Sequence, residues 1–449
     1  MTTLADAAGS VSTVKSVNPA LFALVKLASM NNQHLPNLSA SFWEQSTQLR
    51  AIRDAAFSRM TSPDALLVCI LCRIAVSVPH TVTLPNRTSI NFIAALVGES
   101  GTGKSQAIKA ARHLLPDIGT KIDGWNIGSG QGIASVYCTN DSDDIASTAT
   151  IRSALFCVDE GEQLLKLGKG TESITLGTIR SAWSGEGIGT TNASAERRRI
   201  VEPDSYRFAM TVGFQPKFAA ELLTGVSAGD PQRFLFAGVT HPEQPDILPR
   251  FPNPLIANWN NSISGDEVIK VDPEITREIN STRIKRQRLE IASDPLDSHR
   301  QLVQLKTAAL LAILHSNGTG IEVSIQWWNA ARLMVEISRG IRDRLVELAV
   351  LERRQHNNER TAEQIEAETI KEASREQRAL ESMVKSITNR CAREGEGNEV
   401  TWTQLQQATN GQHRRLVDID DAIYEARKQG LIVETKARHY RSPSRNIGT

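Results

Sequence analysis

The chain is short of cysteine pairs, of long apolar runs and of charge excess, and each shortage narrows what it can be. Its five cysteines are Cys69, Cys72, Cys138, Cys157 and Cys391. An odd count in a chain of 449 residues excludes the dense disulfide framework of a small secreted domain. Cys69 and Cys72 form a C-x-x-C, but they sit inside the apolar run 65–76 with no second pair or histidine at zinc spacing. They therefore read as core residues, the usual place for a free thiol. No apolar run reaches the roughly 18 residues of a membrane span, and no charged-then-apolar segment opens the chain. A cytosolic protein with no membrane contact is the expectation. Lys and Arg total 51 against 50 Asp and Glu, a net charge of +1. Global charge is thus silent on nucleic acid, and only local clusters can speak for it.

Hydrophobic residues make up 40% and charged residues 22%, enough for ordinary globular cores and, at this length, for two or three domains. Residues 1–17 are small and polar. Apolar positions recur every three or four residues over 21–30, 39–59 and 63–77, which predicts helices, with Pro36 in the first break. Around Pro85 and Asn86, residues 81–88 read as strand–turn–strand. From 91 to 239 strand and helix patterns alternate, the signature of a largely parallel sheet covered by helices. The signal turns helical over 273–350. Residues 355–378 are dominated by Glu, Arg, Gln and Asn and read as a solvated helical linker, and 381–443 as a compact module. No internal repeat is present.

The most specific motif lies near residue 100. The apolar, strand-like run 91–97 leads directly into Gly98-Glu99-Ser100-Gly101-Thr102-Gly103-Lys104-Ser105, followed by a helical stretch over 106–115. This is G-x-x-x-x-G-K-S in the strand–loop–helix context that the pattern needs. Glycines let backbone N–H groups wrap phosphates at a helix N-terminus. Lys104 is expected on the β/γ-phosphates of ATP and the Ser105 hydroxyl on Mg²⁺.

A second strand-like run, Ala154-Leu155-Phe156-Cys157-Val158, ends in Asp159-Glu160. Two acids at the end of a buried parallel strand suit metal-assisted hydrolysis. Asp159 would hold the metal through water and Glu160 would polarise the attacking water. The strand-like run 206–213 ends near Gln215, and either Gln215 or Thr211 could sense the γ-phosphate. Arg233 stands just before the apolar run 235–239. An arginine there either faces the nucleotide of an adjacent subunit or braces a domain edge.

Together these elements resemble the hexameric AAA+ replicative helicases, including the MCM group and the virus- and plasmid-encoded helicases. Several phrases are also similar to the helicase-like replication proteins of actinobacterial phages and plasmids that lie beside, or are fused to, a primase. They are Phe42-Trp43, the run 96–105, Ile127-Gly128-Ser129-Gly130-Gln131-Gly132, Gly213-Phe214-Gln215-Pro216 and the run 231–235. The resemblance spans about residues 42–239. It implies an α/β P-loop NTPase core of AAA+ type that binds ATP and Mg²⁺, assembles as a homo-oligomer, in these families a hexamer, and acts on DNA. Two departures stand out. Those proteins commonly carry an acid where this chain has Gln131, and no primase-like region precedes the core, so priming would fall to a separate primase.

Two segments are candidates for DNA. Residues 185–204 hold Arg197, Arg198 and Arg199 and resemble the hairpin that hexameric helicases point into their channel; the other reading is a solvated charged turn. The module near the C-terminus reads as a winged helix, with helices over 401–408 and 417–429 and strands over 431–435 and 438–441. Between 400 and 445 it carries eight Lys/Arg against five Asp/Glu. Arg414, Arg415, Lys436 and Arg438 are its candidate phosphate contacts, although such modules also dock proteins. The expected order is a helical region 1–80, the ATPase core 81–250, a helical region 251–354, a charged helical linker 355–380 and the winged helix 381–445. A DNA helicase or translocase is the function implied. An origin initiator, a helicase loader and an ATP-switched DNA-binding regulator share the same parts.

Overall fold

A computed structural model describes residues 35–120, 122–138, 151–168, 174–190, 199–225, 231–257, 259, 266–291, 297–316, 320–394 and 398–443. The expected helix at 21–30 lies outside them. The chain divides into two compact units, Met1–Val350 and Leu351–Thr449.

The first unit is built on a five-stranded sheet in the order β2-β3-β6-β1-β7, with β1 Phe92–Val97, β2 Ile122–Trp125, β3 Ser153–Val158, β6 Arg207–Phe214 and β7 Leu235–Gly238. Every pairing in it is parallel. All residues of β1, β6 and β7 are buried, as unbroken apolar strands covered on both faces must be. β6 lies between β1 and β3, so Ala95 and Phe156 flank Val212 and Met210 across the sheet.

One helix, Pro63–Ser77, forms much of the covering layer. Ser62 caps it by accepting from the Asp64 N–H, and Pro63 occupies its first turn. Leu66, Leu67, Ile70, Leu71 and Ile74 are fully buried along it against β1, β3, β6 and β7. Each such side chain contributes about 1.5–3 kcal/mol of burial. Cys69 and Cys72 belong to this face as buried free thiols. Among the described residues no single helix is long and apolar enough to cross a membrane.

Local chemistry reshapes two expected segments. The pattern at 39–59 divides into Ala40–Trp43 and Thr47–Ser58, because the Ser46 hydroxyl accepts from the Leu49 N–H and starts a new helix. At 81–88 the turn Pro85–Arg87 has Asn86 and Arg87 at φ 60 and 56, too tight for a ladder. Only single bridges remain, Leu84 to Thr88 and Thr83 to Val268.

The helix Ile325–Arg393 starts in the first unit and ends in the second. Its described side chains over 353–378 are exposed, consistent with their charged composition. The second unit has its own core, which includes Met383, Ile387, Leu405, Ile423 and Tyr440. It comprises the end of that helix, the helices Trp402–Ala408 and Ile419–Lys428, and an antiparallel sheet in the order β10-β12-β11. Those strands are β10 Val400–Thr401, β11 Val433–Lys436 and β12 His439–Arg441. A capping box between Thr401 and Gln404 starts its first short helix.

Candidate nucleotide site

β1 ends at Val97, and the loop that follows is shaped by what glycine permits. The Gly98 N–H still reaches the Phe214 carbonyl of β6 at 3.0 Å, and a Cβ at Gly98 would run into the Val239 side chain. Gly103 sits at φ 110 as the N-cap of helix Lys104–Leu114, where a side chain would be strained. Its carbonyl accepts from the Thr61 hydroxyl at 3.2 Å, so the turn before helix Pro63–Ser77 braces the loop from behind. No side chain caps this helix, which leaves its first N–H groups facing the cleft as an anion site.

Lys104 is half-buried, and its Nζ donates to the carbonyls of Gly98 at 2.6 Å and Glu99 at 2.7 Å. Burial holds its pKa below the ordinary lysine value, and the Glu99 carboxylate opposes that shift. Across β6, Asp159 and Glu160 are exposed beyond the end of β3. Two sheet spacings separate β1 from β3, about 10 Å, which leaves room for phosphate oxygens and a hydrated cation between lysine and acids.

Gly213 makes this approach possible. A Cβ there would lie 2.7 Å from the Asp159 carbonyl oxygen and 3.3 Å from Lys104 Cδ. The Cys157 thiol donates to Asp159 Oδ1 at 3.5 Å, and burial pushes that thiol up to about 11, so it stays protonated as a donor. The cleft has a volume of about 390 Å³, and Lys104, Ser105, Asp159, Glu160 and Gln215 all line it. Gln215 stands exposed just past β6, whereas Thr211 is buried in the sheet against the Cys157 thiol.

Among the described residues no three His, Cys, Asp or Glu side chains cluster as a metal cage. The donors that fit Mg²⁺ are the Ser105 hydroxyl and the Asp159 carboxylate, a sparse set that substrate phosphates and water would complete.

No protein-family model matches the chain, and no curated protein matches it either. Among solved structures it is similar to "SCCmec type IV Cch - active helicase", at 12% identity and a TM-score of 0.23, covering 84% of this chain and 67% of that one. A likeness at that TM-score carries no weight for function, which therefore rests on the residues of the site.

The remaining candidates lie elsewhere. Arg233 ends the short turn Pro231–Arg233, just before β7. Because β7 runs parallel to β1, Arg233 is at the opposite end of the sheet from the loop 98–105, about 20 Å away by strand rise. Its guanidinium lies 5.5 Å over the Trp183 ring. Lys306 Nζ sits 3.8 Å from the same ring and donates to the carbonyls of Trp183 at 2.6 Å and Asn91 at 3.0 Å.

Arg199 lies on β5 Arg199–Val201, paired antiparallel with β4 Ile188–Thr190, while Arg197 and Arg198 fall outside the described residues. In the second unit Arg414 and Arg415 are exposed. Lys436 pairs with Glu399 at 2.8 Å, and the Arg438 guanidinium lies 5.1 Å over Trp402. Residue-type patterns did not single out Gly213, Thr61 or Trp183 as parts of a site. Of these, only Gly213 left a trace, in the phrase Gly213-Phe214-Gln215-Pro216.

Proposed function

We propose that this chain is an AAA+-type ATPase that works as a DNA helicase or translocase in the replication of a phage, plasmid or integrated element. The observation that carries the reading is the convergence of Lys104, Ser105, Asp159, Glu160 and Gln215 on one cleft, with Arg233 at the far end of the same sheet. The loop N–H groups and Lys104 bind the ATP phosphates. Ser105 and Asp159 would hold Mg²⁺, which would neutralise phosphate charge when bound. Glu160 would orient a water and take its proton as that water attacks the γ-phosphorus in line, the bond to the β-phosphate oxygen breaking to release ADP and inorganic phosphate. Gln215, just past the strand between lysine and acids, would register the γ-phosphate.

An arginine that cannot reach its own chain's nucleotide can reach a neighbour's, which supports a ring, hexameric in the families resembled, with Arg233 completing the adjacent site. Arg199 on β5, with Arg197 and Arg198 just before it in the sequence, would then follow the DNA backbone as hydrolysis proceeds. The separately cored second unit, with Arg414 and Arg415 exposed, would assist DNA capture together with Lys436 and Arg438, and priming would come from a separate primase.

The same separate core also suits an origin initiator, a helicase loader or an ATP-switched regulator, in which that unit reads a duplex and the ATPase governs assembly. A forked-duplex assay with purified protein divides the readings. ATP-dependent strand release by the protein alone supports the helicase. Sequence-specific duplex binding without release overturns it in favour of the others.

A further inference from the structure

The first unit holds a second cleft, remote from the phosphate loop, between the turn Pro85–Arg87, the helix Pro273–Gln287 and the start of the helix Arg300–Leu314. Its volume is about 310 Å³, at the small end of ligand cavities, which run from about 300 to 1,000 Å³. Arg283 and Arg286 line one side, and Ile279 and Leu302 provide an apolar wall. Among the described residues, none that lines it is acidic. The nearby Asp297 is already held by Arg342 at 2.8 Å and Arg339 at 3.6 Å, so the two guanidinium groups are not neutralised from that side.

Two features point to an anion. The helix Arg300–Leu314 begins at the cleft, and no side chain among the described residues caps it, which favours an anion at its N-terminus. The Nε of Arg286 is buried with no hydrogen-bond partner among the described residues, although its Nη1 donates to the Ser298 carbonyl at 3.3 Å. A buried orphan donor costs about 1–3 kcal/mol unless something accepts from it.

We propose that this cleft binds a small organic phosphate no larger than a nucleoside monophosphate, its phosphate on Arg283, Arg286 and the helix N-terminus and its body on Ile279 and Leu302. His299, also in the wall, is pushed down to about 4, mainly by burial and then by the charges of Arg233 and Lys306. It is therefore neutral near pH 7, and the two arginines supply the charge. The site also adjoins Arg233. The Ser298 hydroxyl bonds the Gln232 side chain, and His299 meets Trp183 edge-on at 5.6 Å, the ring over which Arg233 lies. Occupancy thus adjusts how Arg233 is presented. This consequence, unlike the binding itself, rests on the reading of Arg233 as a residue that acts across subunits.

The test is calorimetric titration of the full chain with uridine monophosphate, the phosphate loop first saturated with a non-hydrolysable ATP analogue and Mg²⁺. Uridine monophosphate should bind, and Arg283→Glu and Arg286→Ala should each weaken it by about tenfold or more, the scale of a lost charge-assisted hydrogen bond. Arg283 is exposed, so its variant keeps the fold even if Arg286→Ala does not. Absence of binding, or equal binding by wild type and Arg283→Glu, overturns the site. Binding of a single-stranded oligonucleotide alone, lost in Arg283→Glu, overturns the small-molecule ligand and gives the cleft to nucleic acid. Steady-state hydrolysis should respond to uridine monophosphate in wild type but not in Arg283→Glu. Binding without any response would overturn the link to Arg233 alone. Failure of the helicase reading would instead show in the forked-duplex assay, with this binding intact.

Discussion

If Arg233 completes a neighbour's site, two inactive proteins should restore one another. Lys104→Ala removes the ammonium from the cleft but leaves Arg233 at the other end of the sheet, about 20 Å away. Arg233→Ala does the reverse. Each alone should lose hydrolysis, the arginine variant by about 10³–10⁵, or roughly 4–7 kcal/mol of transition-state stabilisation. In an equal, freely exchanging mixture, half of the subunits keep a working phosphate loop and half of their neighbours keep the arginine. With head-to-tail interfaces acting independently, about one quarter are then complete, whatever the ring size. A phosphate-release assay across mixing ratios should therefore peak near equal amounts, at roughly a quarter of the wild-type rate. A flat line at zero, with subunit exchange shown by labelled chains, would mean that Arg233 only braces Trp183.

Other expectations follow from the cleft and the core behind it. Glu160→Gln should retain ATP without turning it over, because an amide cannot take the proton while Asp159 still holds the cation; near-normal hydrolysis would remove Glu160 from the mechanism. Gly213→Ala places a methyl 2.7 Å from the Asp159 carbonyl oxygen, so β3 and β6 must part at the site. Stability should fall by about 1–3 kcal/mol and turnover more than nucleotide affinity; unchanged kinetics would show that the gap is not needed. Asp64 accepts from the Leu38 N–H at 2.9 Å, and burial pushes its carboxyl from 3.8 up to about 7. Between those values the folded chain binds a proton that the unfolded chain does not. Stability should therefore fall as pH rises from about 4 to 7, by roughly 4 kcal/mol in all. Denaturant midpoints at pH 5 and pH 8 should show that slope in wild type and lose it in Asp64→Asn; equal slopes would refute the burial argument.

The shape of the loop 98–105 was legible because everything it needs is local. Glycines at fixed spacing, a lysine and a hydroxyl between an apolar strand and a helix define it within eight residues, by backbone sterics alone. Asp159 and Glu160 were legible for a similar reason: a buried strand ends where water and charge begin. Helix starts such as Ser62-Pro63 and Thr401 with Gln404 are likewise written in neighbouring residues.

Strand order was not legible. Nothing near 207–214 says that this strand inserts between β1 and β3, yet that insertion sets the gap spanned by Lys104 and Asp159 and leaves room only for glycine at 213. The separation of Gln215, in the cleft, from Thr211, in the sheet, also follows from it. The cations gathered on Trp183 join positions 183, 233 and 306, and the turn at Thr61 braces a glycine 42 residues later. Capping, periodicity and glycine sterics act over a few residues and can be read directly from the chain. Strand order and buried polar clusters depend on which distant surfaces pack best, and only the folded sheet decides that.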